Sequence, residues 1–229
     1  MTAADGGNVD RAGIGVVAVN VGTPRLLSER DGQHVYSSIV KQPVPRGTVL
    51  WLSLGNLAGD SQADLEVHGG PDKAVYAYPS EHLAVWESEL GEPLGAAAFG
   101  ENLSTLGVTE HDVCIGDLWR WDDAILQVCQ PRWPCFKLAL HRNRADIQVL
   151  MRRSGRTGWY LRVLRPGEVT VGSPITIERR DPAALTITDA HHAMGDRHLE
   201  QRSLVEALAG HPALAAEWSS PLHERLARP

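Results

Sequence analysis

The segment Gln130-Pro131-Arg132-Trp133-Pro134-Cys135-Phe136-Lys137 gathers the most reactive residue types in the chain. A residue that precedes proline is pushed out of the helical region, so Gln130 and Trp133 are held extended. Cys135 is thereby presented from a stiff loop that follows an apolar run. Arg132 and Lys137 favour thiolate over thiol. A thiolate is a nucleophile or a soft metal ligand. The ordinary fate of a free cysteine is burial in the core. Cys114 and Cys129 sit inside apolar runs and are assigned to that fate. Three cysteines, odd in number and without paired C-x-x-C zinc spacing, read as reduced thiols.

Local charge sets Cys135 apart. Nine Lys and Arg residues lie between Gln130 and Pro166 against one acid, Asp146, although the whole chain carries a net charge of −6. A cationic zone around a stiff cysteine loop predicts an anionic ligand. Some of Arg152, Arg153 and Arg156 are expected only to cover a solvated helix face. The acidic whole argues against binding a nucleic acid polymer, which takes many cations.

His68-Gly69-Gly70-Pro71-Asp72-Lys73 is a second cluster. Its glycines let backbone N–H groups approach an anion, with His68 and Lys73 as further donors; the same letters also make a tight turn. Gly22-Thr23-Pro24-Arg25 and Gly100-Glu101-Asn102-Leu103 are polar loops that need be no more than turns. Gly13-Ile14-Gly15-Val16-Val17-Ala18 matches a dinucleotide fingerprint by letters, but it follows a polar tail and reads as a strand. Adjacent His191 and His192 point apart on a helix and, like His198, read as solvated.

These loops need a scaffold. Strands are expected at Ile14–Val21, Val35–Val40, Thr48–Leu54, Ala74–Tyr78, Asp112–Ile115, Leu118–Trp121, Ile125–Cys129, Tyr160–Leu164, Glu168–Val171 and Ile175–Glu178, all rich in residues that suit a pleated surface. Trp121-Asp122-Asp123-Ala124 reads as a hairpin turn. Helices are expected near Leu83–Leu90, ended by Gly91, and over Arg144–Arg153. Many short strands with few helices predict a mainly β, closed or nearly closed barrel. Beyond Arg180 the pattern changes to short helices at Ala183–Met194, Arg197–Ala209 and Pro212–Trp218, with Asp196 as an N-cap, Gly210 closing a helix and Pro212 opening one. The expected division is a flexible tail at 1–12, a barrel domain at 13–180 and a helical extension at 181–229.

At 43% hydrophobic and 22% charged residues the composition excludes a wholly disordered chain. No apolar run approaches the roughly 20 residues a membrane-spanning helix needs. The polar first dozen residues have no basic n-region, so a cytoplasmic protein is expected.

Val19–Gly22 with Pro24-Arg25, then Gly59-Asp60, His68–Lys73, Tyr78-Pro79, Phe99–Leu103, Ile115–Asp117 and Gln130–Cys135 occur in an order that resembles the MOSC family, named for the C-terminal domain of molybdenum cofactor sulfurase. The likeness is greatest to its YiiM-type bacterial branch and spans roughly residues 13–180; the tail resembles that branch's three-helix extension. The resemblance implies a β-barrel related to the barrel domain of pyruvate kinase, and binding of the molybdenum cofactor, a pterin with a dithiolene and a phosphate. It implies that Cys135 ligates molybdenum or carries sulfur, with reduction of N-hydroxylated substrates such as 6-hydroxylaminopurine. Arg25, His68, Gly69, Gly70, Lys73 and Arg132 are then the expected pterin and phosphate contacts, and Asn102 a polar contact to cofactor or substrate. No flavin, nicotinamide or iron–sulfur motif is visible, so an external electron-donating reductase is implied. A cofactor or sulfur carrier using a Cys135 persulfide, and a cysteine hydrolase with His68 as base, stand as alternatives. For the helical tail, homodimer formation and partner docking both stay open.

Overall fold

The computed structural model describes residues 13–30, 32–63 and 69–228; the expected tail and His68 lie outside them. The elements in chain order are β1 (Gly15–Val21), β2 (Arg25–Arg30), β3 (Gln33–Ser37), β4 (Gln42–Pro43), β5 (Val49–Leu52), β6 (Val75–Pro79), α1 (Leu83–Leu90), β7 (Leu103–Leu106), β8 (Leu118–Trp121), β9 (Ala124–Pro131), α2 (Phe136–Arg142), α3 (Ile147–Ser154), β10 (Trp159–Arg165), β11 (Gly167–Thr170), β12 (Thr176–Arg179), α4 (Ile187–Gly195), α5 (Arg202–Ala209) and α6 (Ala216–Leu226).

Eight strands form one curled sheet in the order β12-β8-β9-β10-β6-β7-β1-β4. Its pairs are antiparallel except β6 with β7. The curl brings the start of β1 back to β12, where Ile14 and Ile175 exchange two backbone hydrogen bonds of 2.7 and 3.0 Å. The expected near-closed barrel takes this form. Two small ribbons, β2-β3 and β5-β11, flank it.

The alternation of β6 explains how the sheet serves two cores. Val75 and Ala77 enter the barrel interior, while Tyr76 and Tyr78 enter a second cluster with Trp86, Phe99, Leu138, Ile147 and Met151. All five residues of the strand are buried, and side chains that alternate sides demand a partner for each face. Helices α1, α2 and α3 cover the outer one. Inside the barrel Trp119 and Trp159 meet edge to face at 5.8 Å between ring centroids, an arrangement the ring quadrupoles favour.

The barrel core continues into the C-terminal helices: Ile187, Ala190, Val205, Leu208, Trp218 and Leu222 join the same cluster as the strands. Helix α4 opens with a capping box in which Thr186 and Asp189 satisfy each other's backbone N–H groups.

Several expectations shift. Asp112–Ile115 is a turn with a single bridge from Cys114 to Thr186. β2, β4, β7 and α2 were not expected. α6 begins at Ala216 and runs through Pro221, so Pro212 opens no helix. Asp196 accepts N–H bonds from Glu200 and Gln201 ahead of α5, whose own N-cap is Gln201. Among the described residues no helix is long and apolar enough to cross a membrane.

Candidate functional site

Cys135 stands at the start of α2 with extended backbone (φ −107°, ψ 171°). It is partly exposed and lines a cavity on the outer face of the sheet, together with Arg132 and Lys137 from its own segment, Lys41, Asp60, Lys73, and the rings of Tyr76 and Tyr160. The cavity holds about 640 Å³ of open space including its mouth.

Each wall has a local cause. Pro131 ends β9, and the backbone N–H of Arg132 donates to Gly158 O at 3.0 Å. The Arg132 side chain turns inward and is only 5% exposed. Its guanidinium lies 4.9 Å from the centroid of Tyr76. Among the described residues no carboxylate pairs with it. Burying a cation without a counter-ion is costly, so an anion in the cavity would be stabilised there. Burial pushes the phenols of Tyr76 and Tyr160 up, and Tyr76 Oη donates to Thr157 O at 2.8 Å. Both rings are neutral walls.

The opposite wall is a polar relay. Asp60 pairs with Lys41 Nζ and accepts from Gly22 N at 2.7 Å and Asn102 Nδ2 at 2.9 Å. Lys41 is buried, and desolvation lowers its pKa against the pull of Asp60. Gly100 lets the loop before β7 close on this wall. Its φ is +80°, and a Cβ there would lie 2.5 Å from Cγ1 of Ile39. Glu101 pins that loop through the N–H groups of Ala97 and Phe99 at 2.8 and 3.1 Å.

The expected site residues divide. Cys135, Arg132, Lys73 and Asn102 meet in the cavity. Asn102 spends its amide on the frame, donating to Asn20 O and Asp60 and accepting from Tyr76 N. Gly69 and Gly70 line a separate shallow hollow with Gln130, Ala215 and Glu217, and Lys73 borders both. Lys73 Nζ lies 2.6 Å from Glu217 of α6. Arg25 is exposed on β2, opposite Ser37, which does line the cavity. Lys41, Asp60, Tyr76 and Tyr160 were not expected as site residues. The order of motifs included Asp60 without giving it a task, and no local pattern marks Lys41.

The basic zone of 130–166 also divides. Arg142, Arg144, Arg156 and Arg162 pair with Glu92, Asp146, Glu89 and Asp72. Only Arg132 and Lys137 of the nine reach the cavity, whose other cations, Lys41 and Lys73, come from elsewhere.

Among the described residues no three His, Cys, Asp or Glu side chains could share a metal ion. Among the described residues the cavity offers one thiol, four cations and the Asp60 carboxylate, which Lys41 already engages. Such a donor set suits a soft metal that arrives with ligands and negative charge of its own, which is the chemistry of a dithiolene-bound, phosphorylated pterin.

A model of the MOSC domain matches residues 64–176. The chain is 39% identical over 203 residues to the uncharacterized protein YflK of Bacillus subtilis, covering 89% of this chain and 90% of that one. It is 43% identical over 165 residues to protein YiiM of Escherichia coli, covering 71% and 72%. A reductase from Gibberella moniliformis is 32% identical over 194 residues, 83% of this chain but 34% of the longer protein. The crystal structure of YiiM from Geobacillus stearothermophilus superposes with a TM-score of 0.77 at 35% identity, covering 93% of this chain and all of that one.

Proposed function

The chain belongs to the MOSC domain family, and from that membership, which carries a molybdenum-cofactor-related function, we propose that it is an oxidoreductase that binds the cofactor at Cys135 and reduces N-hydroxylated compounds such as 6-hydroxylaminopurine. When bound, the cofactor supplies two-electron chemistry in which an N–OH group, two electrons and two protons become N–H and water. The electrons come from a separate reductase.

The observation that carries this reading is the pairing of Cys135 with a buried guanidinium, Arg132, that has no carboxylate partner among the described residues, in a cavity lined by Lys41, Lys73 and Lys137. The Cys135 thiolate would ligate the metal. Arg132, Lys73 and Lys137 would hold the phosphate and the charged edge of the pterin, since charge-assisted bonds are the strong ones. Asp60 and Asn102 orient Lys41. Tyr76 and Tyr160 would flank a flat ring and keep water from one side of it. The likeness to a fungal reductase supports redox chemistry, although this chain spans about a third of that protein.

The test is the Cys135→Ala variant, made beside the parent in a cofactor-synthesising host. Loss of molybdenum and of N-hydroxyl reduction with an unchanged melting transition is expected. A variant that keeps metal and activity contradicts the assignment. A metal-free parent with an additional sulfur on Cys135 supports the carrier in its place.

A further inference from the structure

A second, wider cleft opens away from the cysteine, where the end of α3 meets α4 and the turn after it. Its walls come from the turn at His82, from Glu110 and His111, from 152–156, and from 188–201. It holds about 1470 Å³ of open space and shares no lining residue with the cysteine cavity.

Its formal charges nearly balance, but its cations are less engaged than its acids. Arg152, Arg153 and Arg197 face it and form no ion pair among the described residues. Arg156 also borders it, but Glu89 holds that guanidinium at 2.6 and 2.9 Å. Three acids face the same space, and two are already engaged. Glu110 contacts His82 at 2.6 Å and accepts from Gly158 N at 2.7 Å. Asp196 accepts from Glu200 N and Gln201 N at 3.0 and 2.8 Å. Glu200 is exposed, and its carboxylate meets no partner among the described residues. Arg152 and Arg153 end α3, where cations complement the helix dipole. That accounts for two arginines. It does not account for Arg197, which follows α4, or for His192 and His198, which line the cleft with His111, whose Nδ1 lies 3.3 Å from Thr188 Oγ1.

We propose that this cleft binds a small molecule carrying one or two phosphate groups. Guanidinium forks match phosphate oxygens in geometry as well as charge. Imidazole N–H groups add donors, and the space beyond the arginines accommodates the rest of the ligand. The site needs neither Cys135 nor the molybdenum cofactor, so its test is separate from theirs. It does adjoin the cysteine loop. The Trp133 ring lies 5.7 Å from the Arg152 guanidinium and 6.1 Å from His191, two residues before Cys135.

Calorimetry on the full chain decides it, with inorganic pyrophosphate, adenosine 5′-monophosphate and phosphate-free adenosine as probes. Two charge-reversal pairs are compared, Arg153→Glu with Arg197→Glu in the cleft, and Arg179→Glu with Arg202→Glu elsewhere; all four arginines are exposed. Both phosphate probes are expected to bind, and adenosine is not. The cleft pair is expected to weaken phosphate binding about tenfold or more, the other pair by less than about twofold. Tighter binding of the nucleotide than of pyrophosphate assigns the ligand to the nucleotides; the reverse assigns it to free polyphosphate. No binding at millimolar probe, equal weakening by both pairs, unchanged binding in the cleft pair, or adenosine binding as well as its phosphate each overturns the proposal.

Discussion

At the cysteine cavity a thiol and a buried guanidinium face the same space; of the other two cysteines, Cys129 is buried and Cys114 is partly exposed but held protonated. Burial pushes Cys129 up to about 12, and burial followed by the neighbouring Asp117 pushes Cys114 to about 11. Alkylation of the native protein at mildly alkaline pH is therefore expected to label Cys135 first and leave Cys129 intact, as peptide mass spectrometry would show. Labelling of Cys129 ahead of Cys135 contradicts the arrangement. Replacing Lys73 by Met removes one charge-assisted contact, and cofactor retention is expected to fall about tenfold, measured as molybdenum left after gel filtration. At this scale the stiff loop at 130–137 was legible in the chain, because proline and cysteine announce themselves locally. Lys41 and Asp60 were not, because they meet Asn102 only after β1, β6 and β7 assemble. The cationic zone was legible as charge but not as destination. Three of its eight arginines fold onto acids distant in sequence.

The elements carry these groups by alternation and by helix ends. β6 is buried on both faces, and its letters gave the strand though not the second core behind Tyr76 and Tyr78. β2 was missed because RLLSER is polar and largely exposed. α2 was missed because seven residues after a proline-rich loop show little helical period. α4 brings one of its adjacent histidines inward. His191 Nε2 donates to Arg152 O at 2.7 Å, and burial holds the ring's pKa below its ordinary 6.5. The unfolded imidazole takes up a proton near that value, while the folded one waits for lower pH. The unfolded state then binds more protons, so stability falls as pH drops below 6.5. His141, lowered first by burial, acts in the same direction. Urea unfolding at pH 7.5 and 5.5 is expected to show a lower midpoint at 5.5, with a smaller difference in His191→Gln. An equal difference in that variant contradicts the role given to His191.

For the whole molecule, one core runs from the strands into α4, α5 and α6. Ala215 N donates to Cys129 O at 3.0 Å, and Lys73 pairs with Glu217, so the helices brace the strand that leads to the cysteine loop. A chain ending at residue 180 would expose that core, including the strand residues that Val205, Leu208 and Trp218 cover. Such a fragment is expected to lose its cooperative melt, measured by circular dichroism; a fragment melting like the full chain contradicts the continuous core. A change in pattern near Arg180 was legible in the sequence, since short helices replace short strands there. The shared core was not, because it depends on which faces meet. The most direct test of the central claim is metal and pterin analysis of the parent chain and Cys135→Ala, both purified from a host that makes the molybdenum cofactor. Stoichiometric molybdenum and pterin in the parent, lost from the variant, is the predicted result. A parent without either, or a variant that retains both, would contradict it.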